Sequence, residues 1–199
     1  MGRETLNCRQ SHLAASMSGP WICASCALIG PTCCRCTSEE DTVVAPLSES
    51  EWRLIQAKAP WTAKLDFVAK GKNSSVFLAQ MIRLFPTQEE EVLRAFPKDG
   101  FHYKLAMNKE GRCLLLGPKG CLLPYTVRPL FCRMYPFWMT TDQLQIFGYA
   151  GCLAIHEFET VPELCAAMQT GPSQLLHLFY QICLAWGVPP PRQCLSSCD

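Results

Sequence analysis

GRCLLLGPKGCLLPYTVRPLFCRMYPF, residues 111–137, sets Cys113, Cys121 and Cys132 around an Arg-Pro pair and closes on Tyr-Pro-Phe. Its apolar runs are short and are broken by GPKG and by proline, which places the cysteines on strand ends and turns. A second group, CASCALIGPTCCRC at 23–36, lies upstream. Two separated cysteine groups are what a chain needs when distant segments converge on a metal. Each ligating sulfur must be deprotonated and brought near others of like charge, and a bound cation makes that favourable.

The 199 residues, 49% hydrophobic and with a formal charge of +1, suffice for one domain that buries roughly 70% of its unfolded surface. The expected organisation is a loose extension over 1–20, a single cysteine-cluster domain over 21–188 and a tail over 189–199. Balanced charge gives no broad footprint for nucleic acid, so nucleic acid is not an expected partner. The start MGRETLNCRQSHLAASM has no uninterrupted apolar core of a signal peptide, and Leu6 stands where myristoylation needs Ser or Thr. With 14 cysteines and no such leader, the chain reads as cytoplasmic, with thiols rather than a disulfide framework. The longest apolar stretch, LLHLFYQICLAWG at 175–187, is too short to cross ~30 Å of hydrocarbon and reads as a core helix, so no membrane partner is expected.

Ser48 with Glu51 forms a capping-box pattern before a helix over 49–58, and Ser74 or Ser75 opens VFLAQMIRLF. Thr87 with Glu90 repeats the capping pattern before EVLRAF, and Thr160 with Glu163 does so before a helix that Gly171 stops. FHYKLAM and RCLLL, joined by NKEG, read as a hairpin with Cys113 on its second strand. GPKG at 117–120 reads as a turn, PFWMTTDQLQIFGYA as two extended runs about TTDQ, and Gly187 as the end of the last helix. The expected fold class is α+β: a helical layer with a small antiparallel sheet and loops that carry the cysteines.

Cys23 and Cys26, two residues apart, suit a tight turn that directs both sulfurs at one ion, whereas the adjacent Cys33 and Cys34 do so only with strain. Cys165 and Cys183 sit in apolar helical patterns and read as core. Cys194 and Cys198 in the tail read as incidental, and Cys8 has no context. His156, four residues after Cys152, is a reserve ligand. His102 and His177 read as structural and His12 lies in the loose start. Trp52, Trp61, Trp138 and Trp186 read as core, and the Glu39-Glu40-Asp41 run as a solvated face. No phosphate loop, dinucleotide glycine pattern or Ser-His-Asp arrangement stands out.

From Cys23 to about Ile155 the chain resembles the YkgJ-type cysteine-cluster family, described as zinc- or iron-chelating and often labelled iron-sulfur oxidoreductases. The matching blocks are CASC and CCR, then APLSESEWRLI, RCLLL, GCLLPYTVRPLFCRMYPF and GCLAI, with Arg128, Pro129 and Tyr135-Pro136-Phe137 in the surrounding signature. The chain departs from the pattern by inserting ALIGPT between Cys26 and Cys33 and by adding Cys36. The resemblance implies a metal set of Cys23, Cys26, Cys33, Cys34, Cys113, Cys121, Cys132 and Cys152, not all of them necessarily ligands. It implies zinc or iron, or an iron-sulfur cluster, as cofactor, with a metal ion and a protein as partners. Arg35, Arg128 and Arg133, each beside a cysteine, would offset thiolate charge or else pair with carboxylates. The leading expectation is a metal-binding protein. The alternatives are an iron-sulfur oxidoreductase and an interaction or modification module like that of the flagellin lysine methylases.

Overall fold

The computed structural model of the chain describes residues 21–29, 32–35, 45–140, 143–146 and 152–191. The loose extension over 1–20 with Cys8 and His12, Cys36, the acidic run at 39–41, Cys194 and Cys198 lie outside the described residues. Side-chain capping fixes several helix starts. α1 (Trp21–Ile29) is apolar and anchors through Ile22. α2 (Glu49–Lys58) opens on the expected capping box: Ser48 Oγ accepts from Glu51 N at 3.3 Å, and the Glu51 carboxylate accepts from Ser48 N at 2.9 Å. α3 (Ser75–Leu84) has Ser74 as its cap, with Phe77 N donating to Ser74 Oγ at 3.2 Å.

α4 (Glu89–Ala95) begins later than its sequence suggests. Gln88 N donates to Phe85 O at 3.0 Å, closing a turn over Pro86 and Thr87, so Gln88 and not Thr87 takes the cap position. Its side chain donates across the molecule to Pro189 O instead. α5 (Leu130–Met134) and α6 (Leu153–Glu157) are single short turns, and α7 (Val161–Ala167) opens on the Thr160–Glu163 capping box. α7 ends before Gln169, which adopts φ 53°, so Gly171 does not stop it; Gly171 is the N-cap of α8 (Pro172–Trp186). Gly187, at φ 72°, closes α8 in the left-handed conformation that glycine adopts without a Cβ clash.

The strands form three separate antiparallel ribbons. β1 (Val68–Lys72) pairs with β2 (Phe101–Leu105), β3 (Leu116–Gly117) with β4 (Gly120–Cys121), and β5 (Phe137–Thr140) with β6 (Gln143–Ile146). The class is α+β, with the sheet divided into ribbons among eight described helices. The expected hairpin of FHYKLAM with RCLLL forms only at its turn end. NKEG does turn the chain, through Asn108 Oδ1 accepting from Glu110 N and Arg112 N. Only the Met107–Cys113 bridge and the Leu114 N to Ala106 O bond join the two runs, and VAKGK takes the whole length of β2.

Two apolar clusters result. The larger gathers α3, α4, α5, α7, α8 and β5 around Phe85, Trp138, Phe179 and Trp186, with the indole N–H groups satisfied by Leu84 O at 2.9 Å and Pro46 O at 3.1 Å. The smaller packs Leu47, Ile55, Phe67, Leu115, Leu123 and Val127. Cys165 and Cys183 are core, as expected; Trp61 is not, being 42% exposed. Among the described residues no helix is long and apolar enough to cross a membrane.

Candidate functional site

The cysteines occupy the seam between the clusters. Cys152 belongs to the larger and Cys23 packs against it, while Cys113 belongs to the smaller and Cys34 and Cys121 pack against that. Cys23 and Cys26 are not on a tight turn but on α1, where a three-residue spacing keeps them on one face. Cys132 is likewise helical, on α5, and Cys152 is the N-cap of α6. The expectation of strand ends and turns holds for Cys33, Cys34, Cys113 and Cys121.

Each segment is pinned locally. Thr32 closes a turn by accepting from Arg35 N at 2.8 Å, and its hydroxyl accepts from Cys34 N at 2.9 Å. Cys113 N then donates to Cys34 O at 2.9 Å, tying CCR to RCLLL, and Arg35 bridges Arg112. α1 packs on β4 and α6. Gly120 adopts φ +99°, a backbone conformation that favours glycine, in the turn leading into the strand that carries Cys121 and against Cys23 and Ala24 of α1.

Glu51 holds α5 in place. This carboxylate is buried, and beside its bonds to Ser48 it accepts from Leu130 N at 2.7 Å, across 79 residues. It thus satisfies an orphan donor at the start of the helix bearing Cys132. The sequence shows Glu51 as a local cap. Its second role reaches across 79 residues and leaves no local signal in the sequence.

Arg128 acts on three members of the group, Cys23, Cys34 and Cys121. It is 9% exposed, its Nε donates to Leu123 O at 3.2 Å, and its guanidinium lies 5.6 Å from the Tyr125 ring centroid. Its extended backbone, φ −62° and ψ 147°, is the one imposed by Pro129. The Arg133 guanidinium also lies over the Tyr125 ring, 5.7 Å from its centroid, and Tyr125 Oη donates to Arg133 O at 3.3 Å.

The thiols feel one another. Burial pushes Cys23 up to about 12, with Arg128 pulling down and Cys152, Cys34 and Cys26 adding to the rise. Cys34 is lowered to about 7, first by a hydrogen bond from Cys33, then by Thr32 and Arg128 against the effect of burial. Cys33 is correspondingly raised, by that bond, by burial, and by Cys34, Cys23 and Cys132. Burial raises Cys121 while Arg128 opposes it, and burial raises Cys152 against the amides of Ile155 and Ala154. Cys132 is raised by desolvation and then by Cys34, Cys121, Cys113 and Glu51. Cys132 also has an exposed surface.

All eight expected cysteines are therefore in electrostatic reach of at least one other member. His156 lies on α6, exposed, and Cys165 and Cys183 stay outside the group. None of the ten described cysteines is joined in a disulfide. The donor set suits a thiophilic cation in kind, because burial keeps most of these sulfurs protonated until a positive charge offsets the cost. In spacing it is not a closed cage: among the described residues no group of three or more His, Cys, Asp or Glu side chains is placed to hold a metal ion. The chain matches no protein-family model, no curated protein and no solved structure.

Proposed function

We propose that this chain is a metal-binding protein of the kind the YkgJ-type resemblance suggests. In this reading Cys23, Cys26, Cys33, Cys34, Cys113, Cys121, Cys132 and Cys152 supply the ligands for zinc or iron, the latter alone or as an iron-sulfur cluster. The observation that carries the reading is that these eight thiols, far apart in sequence, each lie in electrostatic reach of another of the set, three of them, Cys23, Cys34 and Cys121, also in reach of the buried Arg128. Holding so many sulfurs together as thiolates, the form that ligates a metal, is unfavourable without a cation. Arg128 supplies part of that charge, and its fork also donates to sulfur, as it does to Cys121. Free thiols suit the cytoplasm, where we place the protein.

Binding would draw the sulfurs onto the ion from their present spacing. The residues' own contribution is to deliver them from both apolar clusters, with Glu51 fixing α5 and Gly120 seating α1. Zinc would supply folding energy, and an iron-sulfur cluster would add electron transfer, making the protein an oxidoreductase. Metal analysis and absorption spectra of the anaerobically purified full chain separate the two. Stoichiometric zinc in a colourless protein supports chelation and excludes the oxidoreductase; brown protein with iron and acid-labile sulfide supports the cluster. Folded protein that takes up neither metal overturns the proposal.

A further inference from the structure

Cys23 and Cys26 share one face of α1, and α1 packs against α6, whose N-cap is Cys152. Cys152 belongs to the larger apolar cluster and Cys23 packs against it. Cys23 is in electrostatic reach of both Cys152 and Cys26, and Cys152 is in reach of Cys26. Three thiols therefore meet at the contact of α1 with α6.

A second group lies on the other side of the seam. Cys113 belongs to the smaller apolar cluster, and Cys34 and Cys121 pack against it. Backbone bonds fix these three segments to one another. Cys113 N donates to Cys34 O at 2.9 Å, Leu122 N donates to Leu115 O at 2.9 Å, and β4 sets Cys121 opposite Leu116 of β3. Cys132 joins them from α5, whose start Glu51 holds, and it is in reach of Cys34, Cys121 and Cys113.

Cys33 and Cys34 stand between the two groups, adjacent on the turn that Thr32 closes by accepting from Arg35 N at 2.8 Å. Cys34 packs with the smaller cluster, whereas Cys33 feels Cys23 more strongly than Cys132. Two successive thiols serve one tetrahedral ion only with strain, but they serve two neighbouring ions readily. Cys33 thus completes the first group, and Cys34 belongs to the second.

We propose that the seam holds two separate zinc sites, one made by Cys23, Cys26, Cys33 and Cys152 and the other by Cys34, Cys113, Cys121 and Cys132. This assignment rests on the metal-binding proposal above and divides its ligand set. Four thiolates complete the coordination of a structural zinc ion and leave no position for a substrate, so both sites are closed and tie segments together. Each set must draw in to hold its ion, and the sets share only the turn at 32–35, so each can close separately. Four thiolates outweigh one dication, which leaves negative charge at both sites. Arg128, itself buried, is in reach of Cys23 in the first and of Cys34 and Cys121 in the second, so one guanidinium offsets charge on both.

The test is the zinc content of the full chain, purified anaerobically, reduced and refilled with zinc, with folding checked by circular dichroism. Two zinc ions per chain are expected in the parent and in Cys183→Ala, one in Cys26→Ser and one in Cys121→Ser. Titration of the metal-free parent with cobalt(II) gives a readout that needs no variant: thiolate-to-cobalt absorption should grow to two equivalents and then stop. A single ion or an iron-sulfur cluster in the parent would overturn the two-site assignment. So would either folded variant that keeps both ions or loses both, and in each of these cases metal binding itself would stand. A folded parent chain that takes up neither zinc nor cobalt would overturn the metal-binding proposal and this assignment with it.

Discussion

Arg128 and His102 show how a single side chain acquires its role from what surrounds it. Arg128 is buried, yet its charge is used by Cys23, Cys34 and Cys121 and its Nε–H by Leu123 O. An exposed arginine beside a cysteine would do neither, and exposure is the property that adjacency in sequence does not reveal. Arg35, equally adjacent, is exposed and pairs along the backbone with Arg112. His102 carries the pH signature. Its folded value is depressed from 6.5 to about 4, so between those limits the unfolded chain binds a proton that the folded chain refuses. Its contribution to stability is complete above pH ~6.5 and is lost as the pH falls toward ~4. Denaturant midpoints measured across that window should fall with acidification, and His102→Gln should flatten the slope; an equally steep slope in the variant would contradict this.

Elements place the cysteines, and two contacts do most of the placing. Glu51→Ala removes a buried carboxylate and leaves Leu130 N and Ser48 N without their partner. It should cost about 2–4 kcal/mol, seen as a lower denaturant midpoint. Glu51→Gln, which keeps an acceptor, should cost less. Gly120→Ala forces a side chain into φ +99° beneath α1 and should cost roughly 1–3 kcal/mol; Gly171→Ala, with nothing within 4 Å of the new Cβ, should be nearly neutral. Comparative thermal unfolding checks both pairs. Elements with local signals were legible in advance: the capping boxes at Ser48 and Thr160, the Pro-Lys turn between β3 and β4, and the Gly187 stop. The partner of β2 was not, because VAKGK lacks strand-forming density and pairs with β2 only through a register set by Gly71 lying opposite His102. Likewise α1 reads as a turn by its cysteine spacing, since that spacing serves a helix face equally well.

At the scale of the whole molecule, the cysteine group joins two apolar clusters that are otherwise packed separately. The gathering of Cys23 through Cys152 into one neighbourhood follows from no local rule, since the segments concerned are far apart in the chain. Whether the thiols close on one ion depends on ångström-scale spacing, which residue patterns do not encode. A cation at this seam should couple the clusters, so a strong chelator should lower the unfolding temperature and broaden the transition as the clusters melt separately. The most direct test is the metal content of three anaerobically purified full-length proteins: the parent chain, Cys132→Ser and Cys183→Ala. Serine is a poor soft-metal ligand, and Cys183 is core on α8. The account predicts stoichiometric zinc or iron in the parent and in Cys183→Ala, with marked loss in Cys132→Ser. Parent protein that is folded and free of both metals, or full metal occupancy in Cys132→Ser with loss in Cys183→Ala, would contradict it.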